Sequence, residues 1–119
     1  MKQDILSEKS YKFAVRIVGL YKYLINTKRD YILSKQILRS GTSIGAQVKE
    51  SHYGQSKPDF INKLSIAIKE ANETRYWIDL LKDTGYINLQ MHNSLKKDCE
   101  EIIKILTSSI KTLKKNLDK

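Results

Sequence analysis

The chain has 119 residues, a single cysteine and a formal net charge of +9 at pH 7. That length suits one domain, residues 1–119, with a core of its own, and one cysteine excludes an internal disulfide framework. No apolar run approaches the roughly 18 residues of a membrane span, and Asp4 and Glu8 interrupt the region where a secretory signal would be apolar, so a reducing cytoplasm without membrane attachment is the expected setting.

Leu6, Phe13, Ile17, Leu20 and Leu24, joined by Ala14 and Tyr21, recur at spacings of three, four or seven. This pattern predicts an amphipathic helix over 5–26. Asp4 or Ser7 is the expected N-terminal cap. The polar stretch Asn26 to Asp30 breaks the pattern, and Asp30 is placed to cap a second helix over 31–53. Leu33, Ile37, Ile44 and Val48 mark the core stripe of that helix. Gly41 and Gly45 interrupt it one turn apart, each at about 1 kcal/mol relative to Ala. Their missing side chains imply a close helix–helix approach, in surroundings kept small by Ser40, Thr42, Ser43 and Ala46.

Gly54 and Ser56-Lys57-Pro58-Asp59 punctuate the chain, with Ser56 and Asp59 at capping-box spacing and Pro58 in the first turn of a third helix over 57–84. Phe60, Leu64, Ala67, Ala71, Ile78 and Leu81 share its core face at about 100° per residue. Ile66, Trp77 and Leu80 fall about a quarter-turn away, with Glu70 and Glu73 among them. That second apolar face predicts a subunit contact; the alternative is a wide core stripe in a monomer. Gly85 is a C-terminal stop. Asn88 is the expected cap of a fourth helix over 88–117, striped by Leu95, Cys99, Ile102, Leu106, Leu113 and Leu117 with Ile103 and Ile110 beside them. No two-residue alternation occurs. Four long helices with short links predict an all-α, antiparallel, up-down-up-down bundle.

The chemistry-bearing residues are few. Glu70 and Glu73 stand one turn apart, as carboxylates do in di-metal bundles, but no Glu-x-x-His occurs and His52 and His92 fall near helix ends. No metal or other cofactor is expected. Ion pairs with Arg39 and Arg75 are the expected role of these acids. Cys99 lies on an apolar stripe and reads as a buried thiol. Ser40 to Gly45 looks like a phosphate loop but lacks the Gly-Lys-Ser/Thr ending and the preceding strand. With no nucleophile elbow and no acid–base pair, the chain reads as a non-enzyme.

The charge is uneven. Residues 1–30 carry seven Lys/Arg against three acids, residues 61–90 four against four, and residues 91–119 seven against four. Lys9, Lys12 and Arg16 share one face of the first helix. Lys97, Lys104, Lys111 and Lys115 share a face of the fourth, with Lys114 adjoining. Two such stripes predict contact with a polyanion, RNA above all, weakening with salt. A solvated helix face is the plainer reading of either stripe alone.

Several segments resemble a known family. They are Phe13-Ala14-Val15-Arg16-Ile17, Leu38 to Ala46 with Glu50, Ser56-Lys57, Asp59-Phe60, Leu64, Ile66-Ala67, Lys69-Glu70-Ala71, Glu73-Thr74, Tyr76-Trp77, Leu80-Leu81 and Gly85-Tyr86-Ile87. Together they resemble the four-helix-bundle proteins encoded by intervening sequences within bacterial 23S rRNA genes. That family is similar to the accessory variability determinant proteins of diversity-generating retroelements. The match spans roughly residues 8–106, with Gln47 standing where Asn is expected. The resemblance implies an antiparallel four-helix bundle closed into a homopentameric ring. The retroelement relatives bind nucleic acid and a reverse transcriptase through a basic surface, and no catalytic residue carries over. The expected function is a cytoplasmic, oligomeric basic scaffold for RNA or a ribonucleoprotein partner. The alternative is a protein-only adaptor or structural ring, with an unidentified protein partner and charge serving solubility.

Overall fold

The computed structural model describes residues 2–117, and side chains from residue 5 onward. Four helices account for most of this span: α1 Lys2–Asn26, α2 Leu33–Ser51, α3 Lys57–Asp83 and α4 Leu89–Leu117. Each packs on its neighbours in sequence, and α1 closes the cycle against α4. Links over 27–32, 52–56 and 84–88 are too short for crossovers, so successive helices run antiparallel. The body measures 52 × 22 × 20 Å.

The helix ends follow local chemistry. Helix α1 already runs through Ser7, so the Ser7 hydroxyl is no cap and instead lies 3.1 Å from His52 Nε2. The alternative cap, the Asp4 side chain, lies outside the described residues. Arg29 adopts a left-handed conformation (φ +56°), which ends α1, and the Asp30 N–H donates to the Leu24 carbonyl at 3.0 Å. The Asp30 carboxylate accepts the Ser34 N–H at 2.7 Å, so it caps α2, which begins at Leu33 rather than at Tyr31. Ser56 accepts from the Asp59 N–H at 3.3 Å, and Asn88 from the Met91 N–H at 2.8 Å. Gly85 (φ +83°) closes α3, with the Tyr86 N–H donating to the Leu81 carbonyl at 2.9 Å; this is the left-handed stop that glycine provides without steric cost.

One apolar cluster runs the length of the bundle, from Leu6 and Phe13 through Ile44, Leu64 and Ile78 to Ile102 and Leu106. Four stripe positions differ from the expected burial. Ile61 is buried where Phe60 was expected, and Phe60 lies at the edge, with His52 edge-on to its ring at 6.4 Å. Leu33 and Leu113 are half-buried, and Leu117 is exposed. From the Lys9–Glu101 pair α4 continues to Leu117, whereas α1 reaches back only to Lys2, so the last turns of α4 outrun α1. Polar residues also enter the core. Ser10, Ser34, Ser40, Ser51, Thr74 and His92 are all buried. The Thr74 hydroxyl donates to Ser40 Oγ at 3.0 Å and ties α3 to α2.

The glycine pair of α2 works as its spacing implied. A Cβ at Gly41 would lie 2.7 Å from Ile17 Cγ1, and one at Gly45 would lie 3.2 Å from the Ser10 carbonyl oxygen. The bare turn at Gly41 therefore leaves room for the Ile17 side chain, and the one at Gly45 lets the α1 backbone come close.

Candidate nucleic-acid interface

The two basic stripes have different surroundings. Helices α1 and α4 meet along a thin seam, and the α1 stripe faces it. Lys9 pairs with Glu101 across the seam. Arg16 reaches Asp98 at 2.6 Å, Ser94 Oγ at 2.9 Å and the Ser94 carbonyl at 3.3 Å. Lys12 pairs with Glu8 on its own helix at 2.8 Å. The hydrogen bond from Lys9, then its charge, lowers the pKa of Glu101, and the same contact raises that of Lys9. A phosphate binding at Lys9, Lys12 or Arg16 would meet a cation whose charge a carboxylate already partly offsets.

The α4 stripe is open. Lys97, Lys104, Lys111, Lys114 and Lys115 are exposed, and among the described residues no carboxylate lies within 4 Å of their ammonium groups. Lys97, Lys104 and Lys111 repeat every seven residues, so they share one angular position, turned away from Cys99 and Ile102. With Asn93, Lys96, Glu100 and Glu101, Lys97 and Lys104 line a shallow groove of about 450 Å³. Lys114 and Lys115 occupy the last turn, where cations complement the helix dipole.

Glu70 and Glu73 of α3 are held by one arginine. Arg39 Nη1 lies 2.9 Å from Glu70, and Nη2 contacts Glu73. Trp77 Nε1 donates to the same Glu73 oxygen at 3.1 Å. The Trp77 hydrogen bond leads the causes that lower the pKa of Glu73; burial opposes it and Arg39 adds to it. Arg75 is not part of this cluster: it turns to Glu100 on α4 at 3.4 Å and to Asn72 at 3.0 Å. Ile66, Trp77 and Leu80 are half-buried, and Trp77 packs against the core. The more exposed apolar stripe lies instead on α1, where Tyr11 is 71% and Val15 57% exposed beside Val18. Next to it, Tyr11, Ala14, Gly45 and Ala46 line a groove of about 500 Å³ between α1 and α2.

Two further polar sites complete the picture. His92 is buried, with Nε2 2.7 Å from Asp79, which Lys96 also contacts at 3.1 Å. Burial alone would raise the pKa of Asp79, but the hydrogen bonds from His92 and Lys96 outweigh it and the net shift is downward. The Cys99 thiol donates to the Ala71 carbonyl at 3.3 Å, and burial pushes its pKa up to about 12, so it is an inert core group. Among the described residues no group of three or more His, Cys, Asp or Glu side chains converges on a metal-sized space, and no helix is long and apolar enough to cross a membrane.

Residues 2–108 match the family described as the 23S rRNA-intervening sequence protein. The chain belongs to that family. Among solved structures, this family member is similar to a protein of unknown function from the S23 ribosomal protein family of Bacteroides thetaiotaomicron. The two are 55% identical, with a TM-score of 0.92, over 93% of this chain and 99% of the other. A search of curated proteins found no match.

Sequence reasoning missed three features of this 23S rRNA-intervening sequence protein. The Asp79–His92–Lys96 cluster joins residues 13 and 17 positions apart, and a histidine near a helix end gives no sign of burial. The carboxylates opposite the α1 stripe, Asp98 and Glu101, were visible only as interruptions of the α4 lysines. The α1–α2 link had a signal that went unread: Lys28-Arg29 followed by Tyr31-Ile32, all four of them exposed.

Proposed function

We propose that this protein is a non-enzymatic, oligomeric basic scaffold that binds structured RNA, or a ribonucleoprotein, in the cytoplasm through phosphate contacts along α4. The observation that carries this reading is the contrast between the stripes. Among the described residues, Lys97, Lys104, Lys111, Lys114 and Lys115 of α4 have no carboxylate within ion-pairing distance, in a chain of net charge +9. Counter-ion release from such a surface makes affinity fall steeply with salt. The α1 cations Lys9, Lys12 and Arg16 belong to the edge of the same surface and contribute less, because each already holds a carboxylate. Glu70 and Glu73 are engaged by Arg39, and Glu73 also by Trp77, which suits a structural role.

Assembly is the second element of the reading. The resemblance favours a homopentameric ring, and the apolar stripe of α1 (Tyr11, Val15 and Val18) supports a contact there in addition to the α3 face of Ile66, Trp77 and Leu80. The same stripe and its groove favour the alternative, a protein-only adaptor, should RNA binding fail.

Two measurements test the proposal. Lys104→Glu, Lys111→Glu and Lys115→Glu together should abolish RNA binding at physiological salt and flatten the salt dependence; unchanged affinity and slope would remove α4 from the site. Light scattering should give a multimer near five subunits whose mass shifts with RNA at low and physiological salt. A multimer indifferent to RNA would leave the adaptor, and a monomer would defeat both readings.

A further inference from the structure

The α1–α2 link brings exposed cations and an exposed aromatic ring together within a few residues. Lys22, Lys28, Arg29 and Lys35 surround it, and among the described residues none has a carboxylate within 4 Å. The one acid of the segment, Asp30, faces inward, its carboxylate accepting the Ser34 N–H at 2.7 Å. It therefore caps α2 and leaves the surrounding cations without an ion-pair partner. Beside them Tyr31 is 54% and Ile32 75% exposed, an unusual outlay of apolar surface for a link that has the core within reach. The backbone is held in place by the Thr27 N–H to Tyr23 carbonyl bond at 2.9 Å, the Asp30 N–H to Leu24 carbonyl bond and the left-handed turn at Arg29. Ring and cations are thus presented together on a fixed turn.

We infer that this link is a single-stranded RNA contact in which Tyr31 stacks on an unpaired base while Lys28, Arg29 and Lys35 hold the flanking phosphates. The inference rests on the RNA reading above and gives it a strand preference. A base accepts a stacking ring only when it is splayed out of a duplex, and the deep, narrow major groove of A-form RNA admits no such turn. Stacking combined with a basic track is the chemistry of single-strand binding. Because the helices alternate in direction, the link lies at the end of the bundle where α4 begins, whereas Lys111, Lys114 and Lys115 lie at the other, along a body 52 Å long. An RNA touching both places would be gripped by its backbone on α4 and sampled for an unpaired base at the link.

The test is fluorescence anisotropy of the full chain with a short labelled oligouridine and with a labelled RNA duplex, at two salt concentrations. Tyr31→Ala should weaken oligouridine binding at least about fivefold, with duplex affinity and the salt slope unchanged. Tyr31→Phe, which keeps the ring, should bind like the parent. Lys28→Gln with Arg29→Gln should lower the single-strand salt slope by about 1.4. Circular dichroism confirms that each variant folds. Undiminished oligouridine binding by Tyr31→Ala, or an equal loss on the duplex, would overturn the inference. So would Tyr31→Ala releasing the protein from phosphatidylserine vesicles while leaving oligouridine binding intact, a result that would make the link a membrane contact. If reversal of Lys104, Lys111 and Lys115 abolishes binding and Tyr31→Ala leaves oligouridine affinity unchanged, the inference fails and the RNA reading stands. If the parent chain binds neither RNA, both fall.

Discussion

Helix α1 is held on its two sides by different physics. Toward α2 the seam is close: Gly41 leaves room for Ile17, and Gly45 for the Ser10 backbone. Toward α4 the seam is thin and charged, with Lys9–Glu101 and Arg16–Asp98 between side chains roughly two-fifths exposed. Exposed ion pairs contribute about 0–1 kcal/mol each, because water already solvates both partners. Close apolar packing contributes several times more per residue. The attachment of α1 should therefore depend on the small-residue seam, while the charged seam sets register and limits which cations stay open to a partner.

Crowding the glycine seam is the harshest way to break this comparison. Gly41→Val should destabilise the protein by about 3 kcal/mol in urea denaturation, since even its Cβ would sit 2.7 Å from a stiff, β-branched Ile17. Adding Ile17→Ala should recover part of that loss, a coupling that only direct contact produces. Tolerance of Gly41→Val would mean that the helices separate easily.

Gly45→Ala probes the same seam more gently. Its Cβ would meet the Ser10 carbonyl at 3.2 Å, and the crowding opposes a gain of about 1 kcal/mol in helix propensity. The net change should stay within about 1 kcal/mol, well short of Gly41→Val; equal losses at the two sites would show that the contact at Ile17 is not the tighter one. At the turn joining these two helices, Arg29→Gly relieves a left-handed residue with φ +56°. It should stabilise the fold by about 0.5–1 kcal/mol, read as a raised urea midpoint.

The charged seam should respond least. Lys9→Ala and Arg16→Ala should each change the urea midpoint by less than Gly41→Val does, with no more than about 1 kcal/mol for Arg16. Its acid dependence has a fixed sign. Glu101 titrates below its ordinary value because Lys9 hydrogen-bonds its charged form. Its contribution is complete above the unfolded carboxyl pKa of about 4.3 and fades as pH falls through the lower folded value. Glu101→Gln should flatten that part of the acid limb and leave stability at neutral pH nearly unchanged; a large loss at pH 7 would show that the seam is stronger than its exposure implies.

The core was legible wherever the apolar period was unbroken: Leu6, Phe13, Ile17, Ile44, Leu64, Ile78, Ile102 and Leu106 are buried as their spacing predicted. Legibility failed where polarity misled. Ser10 and Ser40 are buried because small side chains fit a close approach, and His92 because Asp79 satisfies it. It also failed where two adjacent apolar residues competed, as with Phe60 and Ile61, since a rotation of a few tens of degrees exchanges them. Among the charged residues, Arg39 lies on the acids of α3 while Arg75 reaches α4. The sequence offered both arginines without the rotation that separates them.

The sequence by itself determined four helices, their caps at Asp30, Ser56 and Asn88, the stop at Gly85 and the apolar stripes, because helical period, capping and left-handed turns depend on residues a few positions apart. Only the tertiary structure decided which cations remain open. Lys9 and Glu101 are 92 residues apart and Arg16 and Asp98 are 82, so their pairing depends on how α1 and α4 slide and rotate against each other. That register places carboxylates against Lys9 and Arg16 and leaves Lys97, Lys104, Lys111, Lys114 and Lys115 of α4, with the cations of the α1–α2 link, facing solvent.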